Sequence, residues 1–105
     1  MMKNRKIIAV DFDGTLVEDE WPQIGDLKHE VFNGICHEIW RDNAYIIIWT
    51  CRSGKELQEM QEYLDGIEFP YDRINANAPW VLGEWKRDNR KIYADEYWDD
   101  KAVRM

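Results

Sequence analysis

Cysteines and long apolar runs are scarce in this sequence of 105 residues, and the sequence carries no net positive charge. The two cysteines, Cys36 and Cys51, fit no Cys-x-x-Cys or Cys/His spacing, so we expect two reduced thiols in or near the core rather than a disulfide or zinc site. No apolar run approaches the roughly 20 residues that a membrane span needs. The basic N-terminus leads into an apolar stretch too short for a signal peptide, which favours a cytoplasmic protein without membrane contact.

An excess of acidic residues, 21 Asp and Glu against 14 Lys and Arg, gives a formal net charge of −7. A protein that grips nucleic-acid backbone in general needs a basic face, so this class is disfavoured. Hydrophobic residues make up 45% of the chain and charged residues 33%, which is typical of a globular protein. The length fits one domain, residues 1–105.

Apolar patterning predicts strands that alternate with helices. The continuous apolar runs Lys6–Val10 and Tyr45–Trp49 are typical of strands buried on both faces. Helical spacing predicts an amphipathic helix over Leu27–Trp40. Ser53 and Glu56 form a capping-box pattern at the start of a second helix. The other predictions are a loop at 14–27, a second helix that stops near residue 66, a short strand at 73–75, irregular chain at 76–90 and a last strand at 92–98.

This order of elements predicts an α/β sandwich with a parallel sheet and right-handed crossovers. In open parallel sheets, ligands bind beyond the carboxyl ends of the strands, so residues that follow different strands meet at one edge. Three groups of polar residues follow predicted strands here. They are Asp11, Asp13, Gly14 and Thr15, then Thr50, Cys51, Arg52 and Ser53, and finally Asp99 and Asp100.

Four carboxylates at one edge would repel one another unless a divalent cation binds them or some are protonated. Carboxylate and carbonyl oxygens are hard ligands of the kind that Mg²⁺ prefers. Thr50, Arg52 and the backbone N–H groups after Asp11 are donors to an anion. A hard cation beside anion donors predicts a phosphate site.

Three motifs carry a family resemblance. DFDGT resembles the first motif, DxDGT, of the haloacid dehalogenase superfamily of phosphohydrolases, IIIWT resembles its second motif, and YWDD resembles its fourth. The resemblance spans residues 6–101 and is to the small, capless members of bacteria and phages. It implies a three-layer sandwich around a parallel sheet, with no cap domain.

The resemblance also implies a mechanism. Asp11 would attack phosphorus to form an aspartyl-phosphate, and Asp13 would protonate the leaving oxygen and later deprotonate water. Thr50 and a lysine would hold the phosphoryl oxygens, while Gly14 lets the backbone approach the phosphate. The implied Mg²⁺ ligands are Asp11, the backbone carbonyl of Asp13, Asp99 and Asp100.

The lysine of the third motif has two candidates, Lys91 and Lys86. Lys91 is preferred because the spacing of KIYADEYWDD is similar to that of the small relatives. It can serve only if residues 91–94 are loop, since a lysine at the start of the last strand would lie at the wrong end of the sheet. Lys86 lies in the preceding loop.

Other assignments also stay open. Arg52 contacts phosphate or substrate, or else it forms a surface ion pair. The six tryptophans are many for this length, and Trp40, Trp49 and Trp98 fit core positions. Trp21, Trp80 and Trp85 fall in loops beside the predicted site, where they pack on the core, line a pocket or contact another subunit.

Two functions follow from these residues. The first is Mg²⁺-dependent hydrolysis of phosphate monoesters, and the second is a non-catalytic module of the same fold that binds metal or a partner. Neither gap in which the superfamily inserts a cap is long enough here for a domain with its own core. We therefore expect an open site that either acts on a large phosphorylated substrate, such as a macromolecule, or is closed by a second copy of the chain.

Overall fold

The computed structural model describes residues 5–81 and 92–99, and this part of the chain has an α/β fold. The strands are β1 (Ile7–Asp11), β2 (Val17–Glu20), β3 (Gln23–Leu27), β4 (Tyr45–Trp49), β5 (Arg73–Ile74) and β6 (Glu96–Trp98). The helices are α1 (His29–Asp42) and α2 (Gly54–Gly66). The predicted α/β class is confirmed.

Four parallel strands form the main sheet, in the order β5-β4-β1-β6. The pairing of β1 with β4 runs from Ile7 opposite Tyr45 to Asp11 opposite Trp49. On the other side of β1, Val10 lies opposite Trp98 of β6. The strand that ends in the predicted nucleophile therefore has a neighbour on each side.

The two faces of the sheet pack against different parts of the chain. Alternate strand residues point to opposite faces, so one set from β1 and β4 meets the helices and the other set meets irregular chain. On the second face, the described covering segments are residues 78–81 and 92–94. The predicted third layer therefore stays a prediction. The residues that meet on the helical face include Ile8, Val10, Ile46, Ile48, Val31, Ile35, Met60 and Leu64.

An aspartate precedes each edge strand of the main sheet and bonds the start of the neighbouring strand. Asp95 accepts a hydrogen bond from the N–H of Ile7 at 2.7 Å and donates its own N–H to the Ile7 carbonyl at 2.8 Å. Asp72 makes the same pair with Ile46, at 2.8 Å each. These pairs fix the register of two very short strands, and so fix where the residues after them lie.

The region predicted as loop, residues 14–27, contains an antiparallel hairpin of β2 and β3. A tight turn precedes it, in which the carbonyl of Phe12 accepts N–H groups from Thr15, Leu16 and Val17 at 3.1–3.3 Å. The sequence of β2, VEDE, has neither the β-branched content nor the alternation that marks a strand. Its order comes from pairing with β3, which single-strand patterning does not report.

The helix ends test two local predictions. Asn43 ends α1 in the left-handed conformation (φ 54°) and donates its N–H to the Ile39 carbonyl at 2.8 Å, near the predicted end. Ser53 precedes α2 as predicted, but its side chain makes no capping hydrogen bond, so the predicted capping box is wrong. Within the described segments, neither helix is both long enough and apolar enough to span a bilayer.

Two predictions of burial are wrong. Trp40 is 81% exposed on the outer side of α1, although Trp98 is buried at 3% exposure and Trp49 is half-buried. Cys51 is exposed, and only Cys36 is half-buried. Helical spacing alone does not define the edge of an apolar face, and Cys51 lies in the loop that leaves the sheet.

The last strand begins at Glu96 rather than at Ile92. Side chains bind the backbone N–H groups of residues 93 and 94, and pairing with β1 starts only at Asp95. The N–H of Tyr93 donates to Asn77 Oδ1 at 2.7 Å, and the N–H of Ala94 donates to the Tyr97 hydroxyl at 3.1 Å.

Candidate functional site

The carboxyl ends of β1, β4 and β6 lie side by side at one edge of the sheet. Asp11 lies opposite Trp49, so the chain that continues from β4 into Thr50 runs beside the Asp11 loop. Continuing the β1–β6 register by one residue places Asp99 next to Asp11. Neighbouring strands are about 4.8 Å apart, which brings these two predicted metal ligands close together.

A buried ion pair joins the loops that follow β1 and β4. Arg52 grips both carboxylate oxygens of Asp13, with Nε to Oδ2 at 2.8 Å and Nη2 to Oδ1 at 2.7 Å. The side chain of Arg52 is 1% exposed and that of Asp13 is 20% exposed. Such a two-pronged contact fixes the plane of the carboxylate as well as its position.

The other contacts of Arg52 come from the hairpin and from the turn that follows β1. Nη1 donates to the Pro22 carbonyl at 3.3 Å and Nη2 to the Gln23 carbonyl at 3.2 Å. The guanidinium carbon lies 5.3 Å from the ring centre of Phe12 and 4.9 Å from that of Trp21. Arg52 therefore forms an ion pair, but a buried one rather than the surface pair that was one prediction. The geometry disfavours its other predicted role, direct contact with substrate.

Thr50 is held by its backbone, and its hydroxyl keeps a proton to donate. Its N–H donates to Asn75 Oδ1 at 2.9 Å, and Asn75 Nδ2 donates to the Thr50 carbonyl at 3.0 Å. The hydroxyl oxygen accepts the N–H of Arg52 at 3.1 Å. A hydroxyl that accepts one bond can still donate another, so Thr50 remains suited to an anion.

Asn75 was not predicted as a site residue, although its place in the sequence carried a usable signal. It follows β5 directly and has a left-handed backbone (φ 53°). Asparagine is one of the few residues that adopt this conformation readily. The predicted strand, 73–75, included Asn75, whereas the observed strand ends one residue earlier. An asparagine at the end of a predicted strand, at the edge where ligands bind, is therefore worth noting in advance.

Gly14 and Lys28 shape the turn after Asp13. Gly14 has a φ of 91°, a conformation that glycine adopts without strain, and its N–H donates to the Val17 carbonyl at 2.8 Å. Lys28 Nζ donates to the Gly14 carbonyl at 2.9 Å, and the Lys28 N–H donates to the Leu16 carbonyl at 2.8 Å. The predicted phosphate contact of Gly14 would therefore use its close backbone approach, since its N–H is bonded within the turn.

Two buried polar side-chain atoms have no hydrogen-bond partner within the described residues. They are Thr15 Oγ1, in the turn, and Trp49 Nε1, on the residue opposite Asp11. Leaving such a group unpaired costs roughly 1–3 kcal/mol. Both residues belong to segments that carry predicted site residues, the turn after Asp13 and the end of β4.

Several predicted site residues, Asp100, Lys86, Lys91 and Trp85, lie outside the described residues. The proposed role of Lys91 required residues 91–94 to be loop, and the described part of this range, 92–94, is not a strand. The choice between Lys91 and Lys86 stays open.

The predicted Mg²⁺ can be tested against the donors that the structure describes. Over residues 5–81 and 92–99, no group of three or more His, Cys, Asp or Glu side chains is placed to hold a metal ion. The predicted donors here are two carboxylates, Asp11 and Asp99, and one carbonyl, that of Asp13. Mg²⁺ in enzymes is commonly held by one or two carboxylates together with waters and phosphate, so this donor set fits the ion.

The fold and the edge residues define an α/β protein with acids and a hydroxyl gathered at the carboxyl edge of a mostly parallel sheet. No family model and no curated protein matches the sequence. The chain is similar to the solved structure of a conserved protein from Bacteroides thetaiotaomicron, with a TM-score of 0.77 and 31% identity over 95% of this chain and 79% of that one. The chain belongs to the same family as that protein. The name of the Bacteroides protein states no activity.

Proposed function

We propose that this protein is a Mg²⁺-dependent phosphohydrolase of the haloacid dehalogenase type, which hydrolyses phosphate monoesters through an aspartyl-phosphate. One observation carries the proposal. Because β1 lies between β4 and β6, the loop that holds Asp11 and Asp13 has Thr50 on one side and Asp99 on the other. These are the positions at which DFDGT, IIIWT and YWDD resemble the motifs of that superfamily.

The proposed reaction has two steps. In the first, an Asp11 carboxylate oxygen forms a bond to phosphorus while the ester P–O bond breaks, and Asp13 gives its proton to the leaving oxygen. In the second, water attacks the phosphorus of the aspartyl-phosphate and gives a proton to Asp13. Inorganic phosphate leaves, and the Asp11 carboxylate is restored.

The remaining groups would stabilise charge on the transferring phosphoryl group. The Thr50 hydroxyl would donate to a phosphoryl oxygen, and Lys91 or Lys86 would place a positive charge beside another. Mg²⁺, when bound by Asp11, the Asp13 carbonyl, Asp99 and Asp100, would neutralise negative charge shared by the acids and the phosphate.

The hairpin bears on the proposed substrate. The gap after the first motif, in which relatives of this superfamily carry a cap, is taken here by the short β2–β3 hairpin. A two-stranded hairpin has no core of its own and shields little of a substrate. This supports an open site that acts on a large phosphorylated substrate or is completed by a second copy of the chain.

A non-catalytic module of the same fold is the second candidate. It is favoured by the contact between Asp13 and Arg52, which engages both oxygens of the proposed acid. In that function the pair would serve only to join the two loops, and the edge acids would bind a metal or a partner without turnover.

Turnover separates the two candidates. Release of phosphate is measured from p-nitrophenyl phosphate, from a panel of phosphorylated metabolites and from oligonucleotides with 3′- or 5′-phosphates, each with Mg²⁺ or with chelator. Asp11→Asn is the inactive reference, and Asp26→Asn, on an exposed hairpin position, is the matched control. Mg²⁺-dependent release that Asp11→Asn loses and Asp26→Asn keeps supports the enzyme. No release from any ester supports the module.

A further inference from the structure

We propose that Arg52 is the positioning residue for Asp13, and that it makes the β2–β3 hairpin part of the machinery that transfers the proton to the leaving group. This inference rests on the proposed phosphohydrolase function. It gives Arg52 a role that works through another side chain and not through contact with substrate.

The hydrogen bonds of the guanidinium group leave Arg52 little capacity to bind substrate. Four of its five N–H groups are taken, two by Asp13 and two by the backbone carbonyls of Pro22 and Gln23. The guanidinium group also lies over the aromatic rings of Phe12 and Trp21. With its side chain 1% exposed, Arg52 has no open face to offer to a phosphate.

The contact with Arg52 fixes the orientation of the Asp13 carboxyl group. Each carboxylate oxygen has two lone pairs, and the grip of Arg52 uses one on each oxygen. The Asp13 side chain keeps 20% of its surface exposed, and Arg52 leaves the second lone pair of each oxygen unused. When Asp13 carries the proton that it gives in the first reaction step, the proton occupies one of these unused lone pairs. A carboxyl group fixed in plane in this way can direct that proton at the leaving oxygen without first losing rotational freedom.

The β2–β3 hairpin contacts Arg52 as well. Its tip, at residues 21–23, reaches Arg52 through one ring and two carbonyls. Its base continues from the turn that follows Asp13. The hairpin and Asp13 are therefore attached to the same guanidinium, and a change at the hairpin tip should alter proton transfer.

The test compares esters that differ in their need for a proton. An aryl phosphate such as p-nitrophenyl phosphate expels a stable anion, whereas an alkyl phosphate such as glycerol phosphate needs its leaving oxygen protonated. General acid catalysis contributes about 10²–10⁴-fold, so Arg52→Met should lower kcat on the alkyl ester by at least about tenfold. On the aryl ester, kcat should change by less than about threefold, and KM should stay within about twofold on both, because the binding groups remain.

The controls separate positioning from folding. Arg52→Lys keeps the charge but cannot grip both oxygens, so it should show the same selective loss. Guanidinium ion should restore alkyl turnover to Arg52→Ala. Arg73→Met removes an arginine that bonds the Tyr45 hydroxyl instead, and should spare both esters. In an Asp13→Asn background, Arg52→Met should cause no further loss.

A variant at the hairpin tip keeps the inference testable if the Arg52 variants fail to fold. Trp21 is half-exposed, so Trp21→Ala should fold, and it should lower alkyl turnover more than aryl turnover. Equal losses on both esters, in the folded Arg52 variants or in Trp21→Ala, would mean a purely structural role and overturn the inference alone. If the wild type releases phosphate from none of the esters in the panel under Proposed function, the proposed function fails and the inference falls with it. If it acts only on other members of that panel, the comparison uses the aryl and alkyl esters that it does turn over.

Discussion

Asn75 holds the backbone of Thr50 through a reciprocal pair of hydrogen bonds, at 2.9 and 3.0 Å, from a position 25 residues further along the chain. The pair places the Thr50 hydroxyl at the carboxyl edge of the sheet. We expect Asn75→Gly, which keeps the left-handed backbone unstrained, to lower kcat/KM on a phosphate ester by about tenfold and stability by about 1–2 kcal/mol.

The chain offers a matched control for this prediction. Asn43 is also a left-handed asparagine (φ 54°), at the end of α1 and away from the carboxyl edge. Asn43→Gly should leave kcat/KM unchanged, as measured by steady-state kinetics beside thermal melts. If both variants lose activity in proportion to stability, Asn75 does not position Thr50.

Asp11→Asn should abolish turnover while the fold remains. The amide is not a nucleophile, so kcat should fall by at least about 10⁴-fold. The change also removes one charge from a cluster of acids, so the melting temperature without metal should stay the same or rise. Phosphate release and circular dichroism measure the two effects. Retention of a substantial part of wild-type turnover would rule out the covalent route.

Mg²⁺ should raise the melting temperature, because it would bind the acids of the folded protein and not those of the unfolded chain. At a concentration about 100 times its Kd, the gain is about 2.7 kcal/mol. The same titration with Asp99→Asn should give a smaller shift, and Asp26→Asn should behave as wild type. An unchanged melting temperature at millimolar Mg²⁺ would count against the metal site.

Stability should fall in acid through the pair of Glu96 and Lys6. Burial raises the pKa of Glu96, but the hydrogen bonds from Lys6 and Trp98 outweigh it and hold the pKa below its ordinary value of 4.5. The folded state therefore binds this proton less readily than the unfolded state does. The contribution is present above pH 4.5 and is lost as the pH falls through the folded pKa.

Glu96 is partly exposed, so this contribution is at most about 1 kcal/mol. The difference in unfolding free energy between wild type and Glu96→Gln should shrink as the pH drops from 6 to 3, by denaturant titration at each pH. Glu59→Gln, on the exposed side of α2, should show no such trend. A constant difference across the range would mean that the contact with Lys6, at 2.9 Å, does not act through charge.

The sequence predicted the parts of the fold that local patterning encodes. Continuous apolar runs marked β1 and β4, and 3.6-residue spacing marked both helices, because burial of these elements is written into neighbouring residues. The residues that follow the strands were placed at one edge by topology alone. The hairpin was not predicted, since the charged strand β2 is ordered by pairing and not by its own composition.

The sequence indicated which residues lie at the site better than it indicated which of them contact one another. Arg52 lies 39 residues from Asp13, and nothing in the local sequence distinguishes a buried clamp from a phosphate ligand. The same holds for Asn75, whose partner lies 25 residues away. Side-chain pairing across the ends of two strands depends on register and loop path, which spacing does not specify.

The aspartates that precede β5 and β6 have a consequence for redesign of this protein. Asp72 and Asp95 lock these strands at their amino ends, on the side of the sheet opposite the candidate site. We therefore expect sequence changes at the carboxyl edge to leave the alignment of the strands intact. The loop after β5, apart from Asn75, therefore offers positions for substitution on a scaffold whose strands are aligned from the opposite side of the sheet.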